Sequence, residues 1–255
     1  MITLGVDLAS QAKLTGICEI AWNAGRADIT NIEVRVDDDD LKRLLGSDRI
    51  DKVGIDIPLG WPDEFVKAIG KHHAGNGWPE SSTNNLRYRA TGDFVNEFFK
   101  SERLGSRVLS VSSDLIAVPA FRAAKLMADL STPVDRCGAG LICEVYPEGA
   151  LRRWRFQCRE YKGKKKKASG ARGRLVEALL HSTREWLRIS DAHRDLCKAD
   201  DNALDALVSC LVARAAACKL VEEIPVGYEE RASREGWIAL PKAESLDRLP
   251  NPQPA

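Results

Sequence analysis

Two apolar stretches of similar design mark the first quarter of the chain. ITLGVDLA (2–9) ends in polar loop residues, and DKVGIDIPLG (51–60) is stopped by Pro58, Gly60 and Pro62, so both read as buried strands. Between them lie LTGICEIAW (14–22) and ADITNIEVRV (27–36), the second alternating in part, with Asn23, Gly25 and Arg26 as the turn. Strands joined this closely predict an antiparallel meander. The acids at 37–40 then open a short helix, LKRLLG, whose positive dipole end they suit. LICEVYP (141–147) is a third apolar strand, and Pro147 fits the first position of a helix over PEGALRRW.

Helical patterns fall near 93–103, 119–130, 171–188 and 201–219, while the Gly, Asn, Ser and Pro of 71–90 predict a loop or insertion. After Pro225 the pattern weakens: REGWIAL suits a last strand, and RLPNPQPA a frayed end. The order predicts an α/β fold with a mixed central sheet, an antiparallel meander plus parallel strands, flanked by helices. One domain over 1–225, with an inserted region near 62–135, would be followed by a partly irregular extension at 226–255.

Composition narrows the class. The 255 residues are 44% hydrophobic and 29% charged, as in an ordinary globular protein. The longest apolar run, 203–218, is interrupted by Asp205 and Arg214, which argues against a membrane span. The first residues enter a strand without a basic or cleavable leader pattern, so a cytoplasmic location is expected. Seven cysteines without a CxxC pair read as reduced, buried thiols, and four histidines give no zinc spacing.

The net charge of +1 is unevenly spread: residues 151 to 174 carry eleven Lys and Arg against one acid, Glu160. Trp154, Phe156 and Tyr161 interleave with Arg152, Arg153, Arg155 and Arg159, a mixture that stacks bases and neutralises phosphates. Trp154 also fits the core face of its helix, and both readings stand. Lys164, Lys165, Lys166 and Lys167, beside Gly163 and Gly170, form either a solvated mobile loop or a phosphate clamp. Arg87 and Arg89 would approach a substrate from the insertion.

The acids carry the chemistry. Asp7 and Asp56 stand near the ends of the first and fourth strands; if those strands are parallel neighbours, both carboxylates emerge at the sheet edge where open α/β sheets bind ligands. Each alone also suits a strand-end turn. Asp201 and Asp205 lie one above the other on a helix face. Asp200 suits the helix cap, but Asp205 lies beyond the first turn among apolar residues and needs a cation or strong donors. That partner is either a structural salt bridge or a hard cation such as Mg²⁺ or Mn²⁺ that reconciles converging carboxylates.

Strand order, carboxylate placement and the terminal helix resemble the ribonuclease H-like superfamily. DNALDALV is similar to the end of RuvC-type Holliday-junction resolvases. GVDLAS, GIDIPLGWP, EVYPEGAL, the Lys-rich loop and DDNALDALV together resemble the domain-of-unknown-function 429 family, predicted nucleases of that fold, over residues 1 to 220. The resemblance implies Asp7, Asp56, Glu144 and Asp205 as metal ligands, with Asp201 joining them in catalysis and Glu148 as a further candidate. Glu144 also suits a strand-end ion pair, and Glu148 a dipole partner after Pro147.

Two departures stand out: Tyr146 takes the place of a His found in many relatives, and Gly92, with Asp93 beside it, takes the place of an acid. The expected function is a nuclease that hydrolyses phosphodiester bonds of DNA or RNA. Two ions would act in it, one generating the nucleophile and one stabilising the leaving oxygen. The alternatives are an actin-like or sugar-kinase-type ATPase fold binding Mg-nucleotide, and a non-catalytic nucleic-acid-binding module. The ATPase reading needs a duplicated domain and glycine-rich phosphate loops, whereas ASQAKLTG follows the first strand here.

Overall fold

Alternation along a strand sends successive side chains to opposite faces, and the first strand shows what that does here. In the computed structural model, which describes residues 1–105 and 107–252, strand β1 spans Ile2–Asp7. Leu4 and Val6 join an apolar cluster on one face, while Gly5 meets a helix on the other. Strand β2 (Gly16–Asn23) and strand β3 (Arg26–Val34) follow as an antiparallel meander, turning at Gly25 with φ 74°. Strand β4 (Lys52–Asp56) pairs parallel with β1, and strand β5 (Ile142–Glu144) pairs parallel with β4. A two-residue strand, β6 (Leu187–Arg188), lies parallel to β3, giving the order β5-β4-β1-β2-β3-β6. This is the α/β fold with a mixed sheet that the sequence predicts, and it is compatible with a ribonuclease H-like fold.

Helix α1 (Asp38–Leu45) is capped by Asp37, whose carboxylate accepts from the amides of Asp39 and Asp40. Between β4 and β5 run α2 (Asp63–His73), α3 (Thr83–Arg87), α4 (Ala90–Ser101) and α5 (Ala117–Ala128). Helix α6 (Pro147–Arg153) follows β5, then α7 (Lys166–Thr183), α8 (Asp191–Ala199), α9 (Asp201–Ala217), α10 (Glu229–Glu235) and α11 (Ser245–Arg248). Leu41 and Leu45 of α1 and Ala123 and Leu126 of α5 cover one face of the sheet with Leu4, Val6, Val53 and Ile55. The other face takes α9, which is buried from Ala203 to Ala213.

Backbone meets backbone under α9. A Cβ at Gly5 would collide with the Ala206 carbonyl and the Cys210 amide, and one at Gly54 with the Ser209 carbonyl. These glycines sit two residues before Asp7 and Asp56. The echo of GVD in GID therefore records one arrangement used twice: glycine admits the helix, and the aspartate two positions on faces the same side.

Several expectations are corrected. The loop expected over 71–90 holds the end of α2 and all of α3, leaving 74–82 irregular. The lysine run is not a loop throughout, since Lys166 and Lys167 form the first turn of α7, which ends at Thr183 ahead of β6. REGWIAL forms no strand: Glu235 closes α10, and Ile238 makes a single parallel bridge to Glu144. The weakly patterned extension nonetheless packs inward, with Trp237, Ile238, Leu240, Leu246 and Leu249 all buried. Of the expected frayed end, residues 253–255 lie outside the described residues. All seven cysteines are free thiols, and no described helix is long and apolar enough to cross a membrane.

Candidate metal centre

Parallel pairing places Asp7 directly opposite Asp56, each at the carboxyl end of its strand. Helix α9 starts at an Asp200 cap, whose carboxylate accepts from the Asn202 amide at 2.8 Å. That start brings Asp205, in the second turn, down onto the same edge. Asp7, Asp56 and Asp205 each offer a carboxylate oxygen within 4.8 Å of the other two. The donor set is all oxygen, the kind preferred by hard divalent cations.

Burial and mutual repulsion set the electrostatics. Asp7 is pushed well above the usual carboxylate range by burial first, then by Asp205 and Asp56. Asp56 rises to about 7 by burial, with the Lys162 ammonium pulling it down and Asp205, Glu144 and Glu148 pushing it up. Asp205 is raised by burial despite two close donors. Lys162 Nζ lies 2.6 Å from its Oδ2, and the Tyr161 hydroxyl donates to its Oδ1 at 2.6 Å. Partial burial lowers Lys162, whose side chain is 47% exposed, but Asp205, Asp56 and Asp7 together hold the ammonium well above its usual range.

The sequence does not single out Lys162 or Tyr161 as Asp205's partners. Each lies in a non-periodic loop some forty residues from Asp205, with no local signature linking them.

The remaining candidates fall outside the triad. Asp201 accepts from the Gly163 amide at 3.0 Å and lies 3.7 Å from Arg172. Glu144 is held by a two-pronged pair with Arg89 and by the Leu59 amide at 3.0 Å. Arg89 is itself buried and also donates to the Glu235 carbonyl at 2.8 Å, so its guanidinium is committed within the protein although it borders the cleft. Glu148 pairs with Arg152 at 2.6 Å. Tyr146 caps α6 and stacks on Phe99, with ring centres 6.3 Å apart. Asp93, beside Gly92, faces Arg231, Glu97 and Glu235 in place of the triad. Arg87 bonds Ser113 at 3.1 Å and is not among the cleft-lining residues.

A cavity of about 520 Å³ opens over Asp7 and Asp56, lined also by Arg107, Glu144, Glu148 and Lys162. Glu148 and Lys162 also line a neighbouring surface pocket with Arg152 and Arg159, and those two arginines border a further one with Arg103, Arg155 and Phe156. None of Lys164 to Lys167 lines these pockets, and Lys167 is paired with Glu160 at 2.6 Å. Trp154 and Tyr161 are core residues that cannot stack on a base: Trp154 donates its indole N–H to Ser245 at 2.9 Å, and Tyr161 is 1% exposed.

The profile of the family described as protein of unknown function (DUF429) matches residues 5–230, and the chain belongs to that family. No curated protein and no solved structure matches the chain.

Proposed function

We propose that this member of the DUF429 family is a divalent-metal-dependent nuclease hydrolysing phosphodiester bonds of DNA or RNA. The observation that carries the reading is the convergence of Asp7, Asp56 and Asp205 within 4.8 Å at the carboxyl edge of the sheet. One buried and two half-buried carboxylates with one ammonium among them are short of positive charge, and their oxygen-only chemistry fits Mg²⁺ or Mn²⁺. The family resemblance implies two such ions. When bound, a divalent ion supplies water activation and neutralises charge on the phosphoryl group.

The chain's own part is positioning. Asp7 and Asp56 present their carboxylates to the cavity from two strands in register. Asp205 is fixed by Tyr161 and Lys162. The surface pocket of Arg103 and Arg159 offers cationic contacts for a phosphate backbone, with Arg155 paired to Glu102 at 2.8 Å and half-buried Phe156 beside them for a base. Backbone contacts of this kind need not read sequence. The seven free thiols suit a reducing compartment, in keeping with a cytoplasmic location.

Incubation of the purified protein with single- and double-stranded DNA and RNA, with Mg²⁺ or Mn²⁺, tests the reading. Cleavage that chelator and Asp56→Asn both abolish is the expected result. Nucleotide binding without cleavage would favour the actin-like ATPase alternative, and metal-independent nucleic-acid binding without cleavage the non-catalytic one. The single sheet formed by the described residues supports the nuclease reading over a duplicated ATPase.

A further inference from the structure

The acids around the cleft are not equally provided with countercharge. Glu144 has Arg89, and Glu148 has Arg152 at 2.6 Å. The triad has Lys162. Both oxygens of Asp205 are engaged, one by the Tyr161 hydroxyl and one by the Lys162 ammonium. Asp7 and Asp56 make no side-chain hydrogen bond or ion pair among the described residues, and they face each other across adjacent strands. The oxygens free to ligate are therefore on the two strands, and the ammonium covers the helix side.

Charge counting points the same way. Three carboxylates against one ammonium leave two negative charges, which a single divalent ion cancels. A second divalent ion beside a retained ammonium would leave this half-buried site with two excess positive charges, and like charges held a few ångströms apart repel more strongly there than in bulk water.

Resting on the metal-centre reading above, we propose that Lys162 is the resident second cation of this site. One divalent ion is bound between Asp7 and Asp56, while the lysine holds Asp205 where two-ion sites carry their other metal. The side chain of Lys162 is 47% exposed and lines the cavity, so its ammonium is also presented to a phosphate oxygen entering there. The lysine is thereby assigned to substrate phosphate as well as to Asp205.

Counting bound Mn²⁺ tests this without recourse to activity. Equilibrium dialysis and the electron paramagnetic resonance signal of free Mn²⁺ would be followed for the full chain, Lys162→Met and Lys162→Arg, with circular dichroism melts establishing that each is folded. Expected are one Mn²⁺ in the wild type, one in Lys162→Arg, and two in Lys162→Met, whose first site also tightens by about tenfold or more because a neighbouring positive charge is gone. Two Mn²⁺ in the wild type overturn the assignment of Lys162 while leaving the metal centre standing. One Mn²⁺ of unchanged affinity in Lys162→Met overturns it as well. No Mn²⁺ in any of the three folded proteins overturns the metal-centre reading itself.

Discussion

Arg89 and Glu144 form a buried two-pronged ion pair although 55 positions separate them in the chain. The pair ties the start of α4 to the end of β5, and the carboxylate also receives the Leu59 amide. Removing one partner strands the other charge in the interior. Arg89→Met is therefore expected to cost about 3–5 kcal/mol in chemical denaturation. Glu144→Gln should also destabilise while leaving Mn²⁺ affinity essentially unchanged. A collapse of Mn²⁺ affinity in a folded Glu144→Gln protein would make this residue a ligand after all.

The three aspartates should not respond alike to neutralisation. Asp7 is crowded by Asp205 and Asp56 and has no donor among the described residues, so without metal Asp7→Asn is expected to raise the melting temperature by relieving that repulsion. Asp205→Asn removes the charge that Lys162 and Tyr161 converge on, and its metal-free stability should fall. Asp7→Asn should also lose the rise in melting temperature expected of the wild type with Mn²⁺. Equal shifts of the same sign in metal-free melts would contradict this division of labour.

Glu19 gives a pH dependence remote from the cleft. Arg49 grips both of its oxygens at 2.6 Å, and the Thr30 hydroxyl donates at 2.8 Å. The Arg49 hydrogen bonds hold the carboxyl below its ordinary value of 4.5, against burial and with help from Thr30. A depressed carboxyl stabilises the fold fully above 4.5, and that contribution is lost as pH falls through the lowered folded value. Because Arg49 is half exposed, Glu19→Gln should cost only about 1 kcal/mol at neutral pH. Its stability curve should merge with that of the wild type in acid. A penalty that persists at the acid end would trace to packing and not to charge.

For nucleic-acid binding, the surface pockets rank the basic residues. The double variant Arg103→Ala and Arg159→Ala should weaken single-strand binding and flatten its salt slope by about 0.7 for each phosphate no longer neutralised. Replacing Lys164 to Lys167 by alanine should change both less, since those side chains line neither pocket and Lys167 is paired with Glu160. Fluorescence anisotropy over a salt series would decide, and the reverse ranking would move the backbone to the lysine run.

Much of the frame is visible in the sequence because it obeys local rules. Strands β1 and β4 are short apolar runs with hard stops, α9 is apolar on every side, and Asp205 is conspicuous because a carboxylate has no cheap place there. What stays hidden depends on interactions between distant segments. Tyr161 and Lys162 reach Asp205 from a loop without period, and Arg89 finds Glu144 across the molecule. Trp154 and Tyr161 sit in a basic, aromatic segment whose local pattern suits a surface, yet both are buried by partners far along the chain. The burial of Trp237 to Leu240 is equally unannounced, because a stretch that adds one bridge to β5 carries no repeating pattern.

The bare approach of α9 to Gly5 and Gly54 has a mechanical consequence. Where two elements meet through side chains, rotamer changes can absorb small errors of placement; here peptide units rest on peptide units. The spacing of Asp205 from Asp7 and Asp56 is thus set by covalent geometry and van der Waals radii, as in a jig. A methyl group at either glycine would act as a shim, lifting the helix and opening the gap between acids that never touch the added atom. Displacements of about 1 Å at a reacting centre can cost a hundredfold in rate. In this fold the tolerance of the acidic cluster is held by the two residues of the motif that have no side chain.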